Sequence, residues 1–592
     1  MIINQKFLVL WTLIVGAVFI IPYAHNPLTI DPVLSLRFNL WAILTFFLLF
    51  FLTCIKSVTI KIFDSKIISR PSSIFIACLT AILILSLSRS INWAVAIFDL
   101  QKLFLFLFFS YVVTIIAGLD KDNVYLIAKS IVISGIIFSI LGISGLFNHH
   151  IYSFMVNKNL FSSYLFLLSP FAFFGLFNFP GFWRILSLIS VIGIHCAIFL
   201  TRTRSVWLAI VLSAVVLVCT GFYCRKDWKN ESLNKKTIKI IAISSLLFIV
   251  SCTFLFSMDQ NSYTSVLSTK NLEKRVELWK NTIDMIKDNP VGVGPGHWKI
   301  YYPRYGHSIT GQDGSGRKTE LVFQRPHNDY LGVLSEYGFP GLFLYIIFFM
   351  FMISYSFEII LHGNNDKIKS FALFMLYGIT GYIVISFFSF PRERILHNIF
   401  LAHVSGSVVA IYRRLPPLTK TQKQLPIKRV HICMMVILVF FIGTGFLRMN
   451  SEVHAKRMVQ AVKSGEWDIV IYESDLTESL FYNMDMVSNP IAWYRGLANF
   501  SSGHIDDAKN DFKKALLLHP WHVHSHNNLG VCYANTGNLK KARACFQKAI
   551  LISPFFKDAH LNKHATIHFT GNKSTKPHTQ NAPPSLRLWN RW

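Results

Sequence analysis

Runs of about 20 apolar residues recur along nearly the whole chain up to Leu447, and a segment of that length can satisfy its backbone across a bilayer only as a helix. About thirteen such runs are legible by that rule: 7–23, 36–55, 72–88, 102–118, 124–146, 160–178, 182–200, 205–223, 238–257, 339–360, 370–390, 395–412 and 430–447. The expected fold is therefore all-α, a polytopic transmembrane helix bundle of about 12–13 spans. Composition agrees, because 53% of the 592 residues are hydrophobic, 15% are charged and 53 are Phe. A net charge of +28 would suggest nucleic acid in a soluble domain, but here Lys and Arg sit in short connections where they set topology, so no nucleic-acid partner is expected. The nine Cys are scattered without paired spacing, which indicates neither a disulfide framework nor a metal site. Lys6 precedes the first apolar run and no good cleavage site follows, so that run reads as an uncleaved first helix.

Alternate connections are far more basic. Lys56, Lys61, Lys66 and Arg70 lie in one, Arg225 to Lys239 supply six in another, Lys367 and Lys369 follow, and Arg413 to Arg429 supply six more. The positive-inside rule puts these in the cytoplasm. The opposite side, which in a Gram-negative cell is the periplasm, then receives the Thr201–Arg204 turn, the long segment 258–338, the Arg392–Arg394 turn and everything after Leu447. The expected organisation is an N-terminal bundle at 1–257, a site-bearing loop at 258–338, further membrane helices at 339–447, a repeat domain at 450–569 and a polar tail at 570–592.

Connections as long as 258–338 are uncommon unless functional. An amphipathic helix is predicted over 271–287, with Leu272, Arg275, Val276, Trp279, Ile283 and Ile286 along one side. Gly292, Gly294 and Gly296 read as a close-packed turn with His297 beside it, and 306–319 as a mobile flap. Arg325-Pro326-His327-Asn328 then opens a short helix, with His327 and Asn328 expected in its first turn and Gly338 as its stop. Glu336, nine residues beyond His327, reads as a packing or capping residue. After Leu447, Gly496, Gly503, Ala508, Phe512, Ala515 and Pro520 recur as Gly530, Gly537, Ala542, Phe546, Ala549 and Pro554, each 34 residues on. That period resembles tetratricopeptide repeats, helix pairs whose surfaces usually bind peptides or proteins. Removing the chain after Asn450 is expected to spare transfer to a small acceptor.

Several short patterns fall on one expected side and in one order. They are Asn157-Lys158-Asn159-Leu160-Phe161, Thr201-Arg202-Thr203-Arg204, Arg275-Val276-Glu277-Leu278-Trp279, Asp288-Asn289-Pro290, and His327-Asn328 followed by Leu331, Leu334, Glu336, Gly338 and Gly341-Leu342. Together they resemble the O-antigen ligase family, membrane enzymes that transfer glycans from a polyprenyl-diphosphate carrier; the likeness is strongest over 157–342 and excludes the repeats. Thr203 stands where the family pattern has Ser.

The resemblance implies a glycosyltransferase of lipopolysaccharide biosynthesis, or its relatives the O-antigen polymerases and protein O-oligosaccharyltransferases. Its partners would be a polyprenyl-diphosphate-linked glycan and a lipid A core, glycan or protein acceptor, with membrane lipid around it. No cofactor and no metal is implied, and an inverting transfer is expected. Fixed guanidiniums suit a diphosphate whose charge grows as it leaves, which singles out Arg204 and Arg275. An imidazole suits removal of the acceptor proton, and the resemblance gives that role to His327, with an acid limb expected near pH 6.5, its reference pKa. Arg325, Asn328, Trp279 and Asn159 are the substrate-binding candidates. A transporter or a silent scaffold is the alternative outside this class, disfavoured because charges lie at span ends and not at mid-membrane.

Overall fold

The computed structural model describes residues 5–55, 81–148, 155, 157–223, 270–306, 310–312, 318–320, 323–415 and 427–568. Eleven helices among them are long and apolar enough to cross a membrane. The first seven comprise α1 (Gln5–Leu13, continued by tighter and wider turns to Tyr23), α2 (Leu34–Cys54), α3 (Trp93–Leu119), α4 (Asn123–Asn148), α5 (Lys158–Asn178), α6 (Gly181–Leu200) and α7 (Arg204–Tyr223). The soluble helix α8 (Lys270–Asp288) follows, then the spans α9 (Asp329–His362), α10 (Asp366–Phe388), α11 (Ile395–Tyr412) and α12 (Ile427–Ser464). The expected span at 238–257, the first half of the one at 72–88, the tail from 570 and most of the basic connections fall outside the described residues.

Phe, Tyr and Trp fill the bundle. Phe38, Trp41, Phe109, Tyr164 and Phe166 are wholly buried, and edge-to-face pairs such as Trp41 with Phe109 at 5.8 Å and Tyr164 with Phe400 at 5.1 Å knit the helices together. Large apolar side chains also point outward, among them Phe182, Ile192, Phe343, Met350 and Val436. On a soluble protein that surface would be costly; facing lipid it is not. The chain is a multi-pass membrane protein.

Helix α12 has 38 residues, or about 57 Å at 1.5 Å per residue, nearly twice a hydrocarbon core. It therefore leaves the membrane as a stalk. Antiparallel to it comes α13 (Trp467–Thr477), then α14 (Ile491–Ser501), α15 (Ile505–Leu518), α16 (Val523–Asn535), α17 (Leu539–Ile552) and α18 (Lys557–His568). The 34-residue period has a packing cause. A Cβ on Gly496 would lie 2.7 Å from the Phe512 ring and one on Gly530 2.5 Å from Phe546, so each glycine lets its helix close onto the phenylalanine of the next. Among the described residues the only strands are Thr310–Gln312 and Lys318–Glu320, a short antiparallel ribbon in the expected flap.

Candidate active site

Helix α9 begins at Asp329, after the two residues the sequence places in its first turn. Asn328 is its N-cap, with φ −159° and ψ 112°, and its side chain accepts the Leu331 N–H at 3.0 Å. His327 thus precedes the cap instead of lying in the first turn, and it adopts φ 53°, a left-handed conformation that costs a non-glycine residue about 1–3 kcal/mol. The ring stands edge-on to Phe390, centroids 5.1 Å apart. Helix α8 clamps the segment before it and the end of α10: the Trp279 indole N–H donates to the Pro326 carbonyl at 2.9 Å, and Arg275, one turn earlier, donates to the Phe388 carbonyl at 3.2 Å. Of the predicted side of α8, Leu272, Val276 and Ile283 are exposed and Ile286 is buried, while Leu278 and Met285, on the adjacent stripe, are wholly buried. Tertiary contacts were thus chosen from a neighbouring stripe.

Burial pushes the His327 imidazole down to about 4, and the nearby cations Arg275 and Arg394 press in the same direction. Burial also lowers Arg275, with Arg204 adding to it. Arg394 is lowered by burial first, lies over the Phe390 ring at 5.2 Å, and has a buried Nε without a partner among the described residues. Two guanidiniums, Arg275 and Arg394, thus bear on the imidazole, and Arg204 bears on Arg275. Asn159, in the first turn of α5, accepts from Thr203 Oγ1 at 3.3 Å and so ties the start of that helix to the turn before Arg204.

Arg325 is differently employed. Its guanidinium bonds Glu393 at 3.0 Å, and Glu393 also meets Lys102 at 2.7 Å and Arg392 at 2.9 Å. Arg392 pairs with Glu336 at 2.9 Å, Lys102 with Asp99 at 2.8 Å, and the Arg392 backbone N–H donates to Asp329 at 3.0 Å. Burial alone would raise the Glu393 carboxyl, but Arg325, Lys102 and Arg392 hold it well below the usual range. Asp99, Glu336 and Glu393 bring ligand oxygens within 4.8 Å of one another, a cluster that no spacing in the sequence shows. Each of these carboxylates is already bonded to Lys102, Arg325 or Arg392, so the donor set does not fit a further cation. Arg325, a substrate-binding candidate from the sequence, is tied into this network through Glu393. Behind the network lies a cavity of about 150 Å³, with Leu103, Phe106, Leu344 and Phe348 among its apolar walls and Lys102 and Arg392 at its polar end.

The glycine turn is built onto α9. Pro340 has no N–H to give the Glu336 carbonyl, and Gly338, at φ 68° and ψ −172°, breaks the helix without ending it. The freed carbonyls of Ser335 and Glu336 accept the N–H groups of Val293 and Gly294 at 2.9 and 3.0 Å. A Cβ on Gly292 would stand 2.5 Å from the Glu336 oxygen. His297 bolts the same turn to α3, accepting the Asn92 N–H at 2.9 Å on Nε2 and contacting the Pro295 carbonyl at 2.7 Å through Nδ1. With both nitrogens occupied, it is a structural residue.

The repeats also reach this segment. Gln324, three residues before His327, donates to the Val487 carbonyl at 3.0 Å and accepts from the Ser488 hydroxyl at 2.7 Å. Asn483 accepts from Asn92 at 2.8 Å, and Tyr301 lies against Trp521 with centroids 4.4 Å apart. Sequence reasoning passed over Gln324, Ser488, Phe390, Arg392, Glu393 and Arg394. Only the last group left a signal, a Phe-Pro-Arg-Glu-Arg turn unusually dense in charge for a connection between two spans.

Residues 186–346 match the family model for O-Antigen ligase. The site region is O-antigen ligase-like. Arg204, Arg275, Trp279, Arg325, His327 and Asn328 all lie inside that match, whereas Asn159 and the Arg392–Arg394 turn lie outside it. Residues 524–556 match the family model for Tetratricopeptide repeat. No curated protein and no solved structure matches the chain. Over 186–346, then, this multi-pass membrane protein is similar to O-antigen ligases, and over 524–556 to tetratricopeptide repeats.

Proposed function

We propose that the protein transfers a glycan from a polyprenyl diphosphate to a hydroxyl acceptor, on the periplasmic face of the bacterial inner membrane. The observation that carries the reading is the convergence of Arg275 and Arg394 on the His327 imidazole, with Arg204 acting on Arg275. Cations crowded in a low-dielectric site repel one another until an anion arrives, and a diphosphate is such an anion. Charge grows on its bridging oxygen as the sugar C1–O bond breaks, so guanidiniums fixed in advance stabilise the departure more than the bound ground state.

His327 is neutral and therefore able to accept a proton. In the step we propose, the acceptor hydroxyl gives its proton to the imidazole, its oxygen forms the bond to C1, and the electron pair of the breaking C1–O bond leaves with the polyprenyl diphosphate. Attack opposite the leaving group inverts C1. Asn328 serves the base indirectly by fixing the start of α9, and Trp279 by holding Pro326. The apolar cavity behind the charge network suits part of the isoprenoid chain.

The test uses purified full-length protein with a polyprenyl-diphosphate-linked glycan and, in turn, lipid A core, free glycan and a Ser/Thr-containing peptide. Arg275→Lys keeps charge but loses the planar fork; donor binding should weaken and transfer should fall by hundreds-fold, about 3–4 kcal/mol. His327→Ala should cost about 10²- to 10⁴-fold in rate with donor binding unchanged. Full transfer by correctly inserted His327→Ala protein would overturn the base assignment.

A further inference from the structure

The turn between α13 and α14 sits on the part of α12 that faces lipid. The outward face of α12 is read from Val436, Phe440 and Leu447, which are 65%, 50% and 55% exposed, and from Gly443 between them, whose added Cβ would meet nothing within 4 Å. The inward face carries the buried Met434, Leu438 and Phe441, the last stacked on Phe108, and at the edge between the two faces Thr444 accepts from Gln101. Phe481 lies against Phe440 on the outward side, ring centroids 6.1 Å apart. Phe440 is eight residues below Arg448, the first charge on the stalk, or about 12 Å along a helix axis. The neighbouring Tyr482 lies under Arg448 at 4.9 Å. The tip thus dips from the level of the first charge toward the hydrocarbon.

Its chemistry suits that depth. Ser479 and Tyr482 close the turn with reciprocal backbone hydrogen bonds of 2.8 and 3.3 Å, so two amides and two carbonyls need no water. The two residues at the turn's apex are Leu480 and Phe481, and Leu480 is 84% exposed. Above it on α13, Leu476, Tyr472 and Ile469 are also exposed, an apolar stripe at helical spacing that leads down to the tip, where Phe481 meets the lipid-facing Phe440. Nothing else described covers it.

We infer that Leu480 and Phe481 form a monotopic lipid anchor, inserted in the leaflet on the side of the repeats, with Leu476 and Tyr472 at headgroup level. Lipid is the occupant because the patch is continuous with a surface that lipid already covers. Apolar tips of this kind enter to roughly 5–10 Å. The anchor fixes the repeats at a set height over the membrane, next to the segment that carries His327.

The experiment places an environment-sensitive fluorophore on the thiol of Leu480→Cys, in a full-length Cys-free background reconstituted into nanodiscs. Leu480 is exposed, so folding does not depend on it. Leu551→Cys, at an exposed position of the repeats, is the aqueous control. The label at 480 should emit to the blue of the control and be quenched at least about twofold more by shallow nitroxide-labelled lipid than by aqueous iodide, as interfacial insertion requires. Water-like emission with iodide quenching equal to that at 551 would overturn the proposal. So would a blue-shifted label that nitroxide lipid leaves unquenched, since a protein surface would then be covering it.

Discussion

His327 carries the clearest consequence at the scale of a residue. An acid limb near the ordinary imidazole value is what the sequence alone leads one to expect. Burial and the two nearby guanidiniums move it, because each disfavours the protonated ring and the group ends near 4. A base works when deprotonated, so activity should be held above that pH and lost as pH falls through it. Bound diphosphate adds negative charge beside the ring and opposes the shift. The kcat/KM profile, which reports the free enzyme, should therefore break near pH 4, and the kcat profile, which reports the donor complex, at a higher pH. Transfer measured from below pH 4 upward checks both limbs, and coincident limbs would show that the guanidiniums do not meet the donor beside His327.

Two elements support that residue, and each can be tested separately. The glycine turn needs Gly292 for two reasons, its φ of 92° and the 2.5 Å approach of a Cβ to the Glu336 carbonyl. Gly292→Ala should lower stability by about 1–3 kcal/mol from the backbone alone, while Gly443→Ala, in a helix with open space around it, should be neutral or slightly stabilising. Thermal melting of the two variants in the same detergent compares them. The second element is the brace from Ser488 to Gln324. Small displacements of a base are expensive, so Gln324→Ala should reduce kcat roughly 10-fold with donor binding intact. Because Ser488→Ala breaks the same bond, the double variant should be no worse than the worse single. Additive losses would mean that the two side chains act separately.

For the whole molecule, the stalk of α12 and the contacts of Tyr301 with Trp521 and Gln324 with Ser488 put the repeats and the His327 segment on one side of the membrane. A phosphatase fused after Asn450 should be active and one fused at Lys235 silent; the reverse pattern would place the whole site in the cytoplasm. Truncation after Asn450, which from sequence seemed harmless to transfer onto a small acceptor, should now reduce it. It removes Ser488, Asn483 and Trp521 together, and with them the support of the segment before His327. Transfer at the parent rate in a truncated, correctly inserted protein would show the brace to be dispensable.

Local sequence determined the helices, because apolar runs of bilayer length have only one way to satisfy their backbone, and it determined the repeats, because Gly496 and Phe512 recur in phase with the packing they make. Through short patterns it also singled out Arg204, Arg275, Trp279 and His327 as candidates. What it could not give was partnership across distance. Arg325 stands two residues from His327 in sequence yet pairs with Glu393, whereas Arg394 and Phe390, more than sixty positions on, meet the imidazole. Asp99, Glu336 and Glu393 likewise come from three separate segments. Those choices depend on which charges burial brings together, since a desolvated ion must find its counter-ion wherever the fold supplies one, and only the tertiary structure decides where that is.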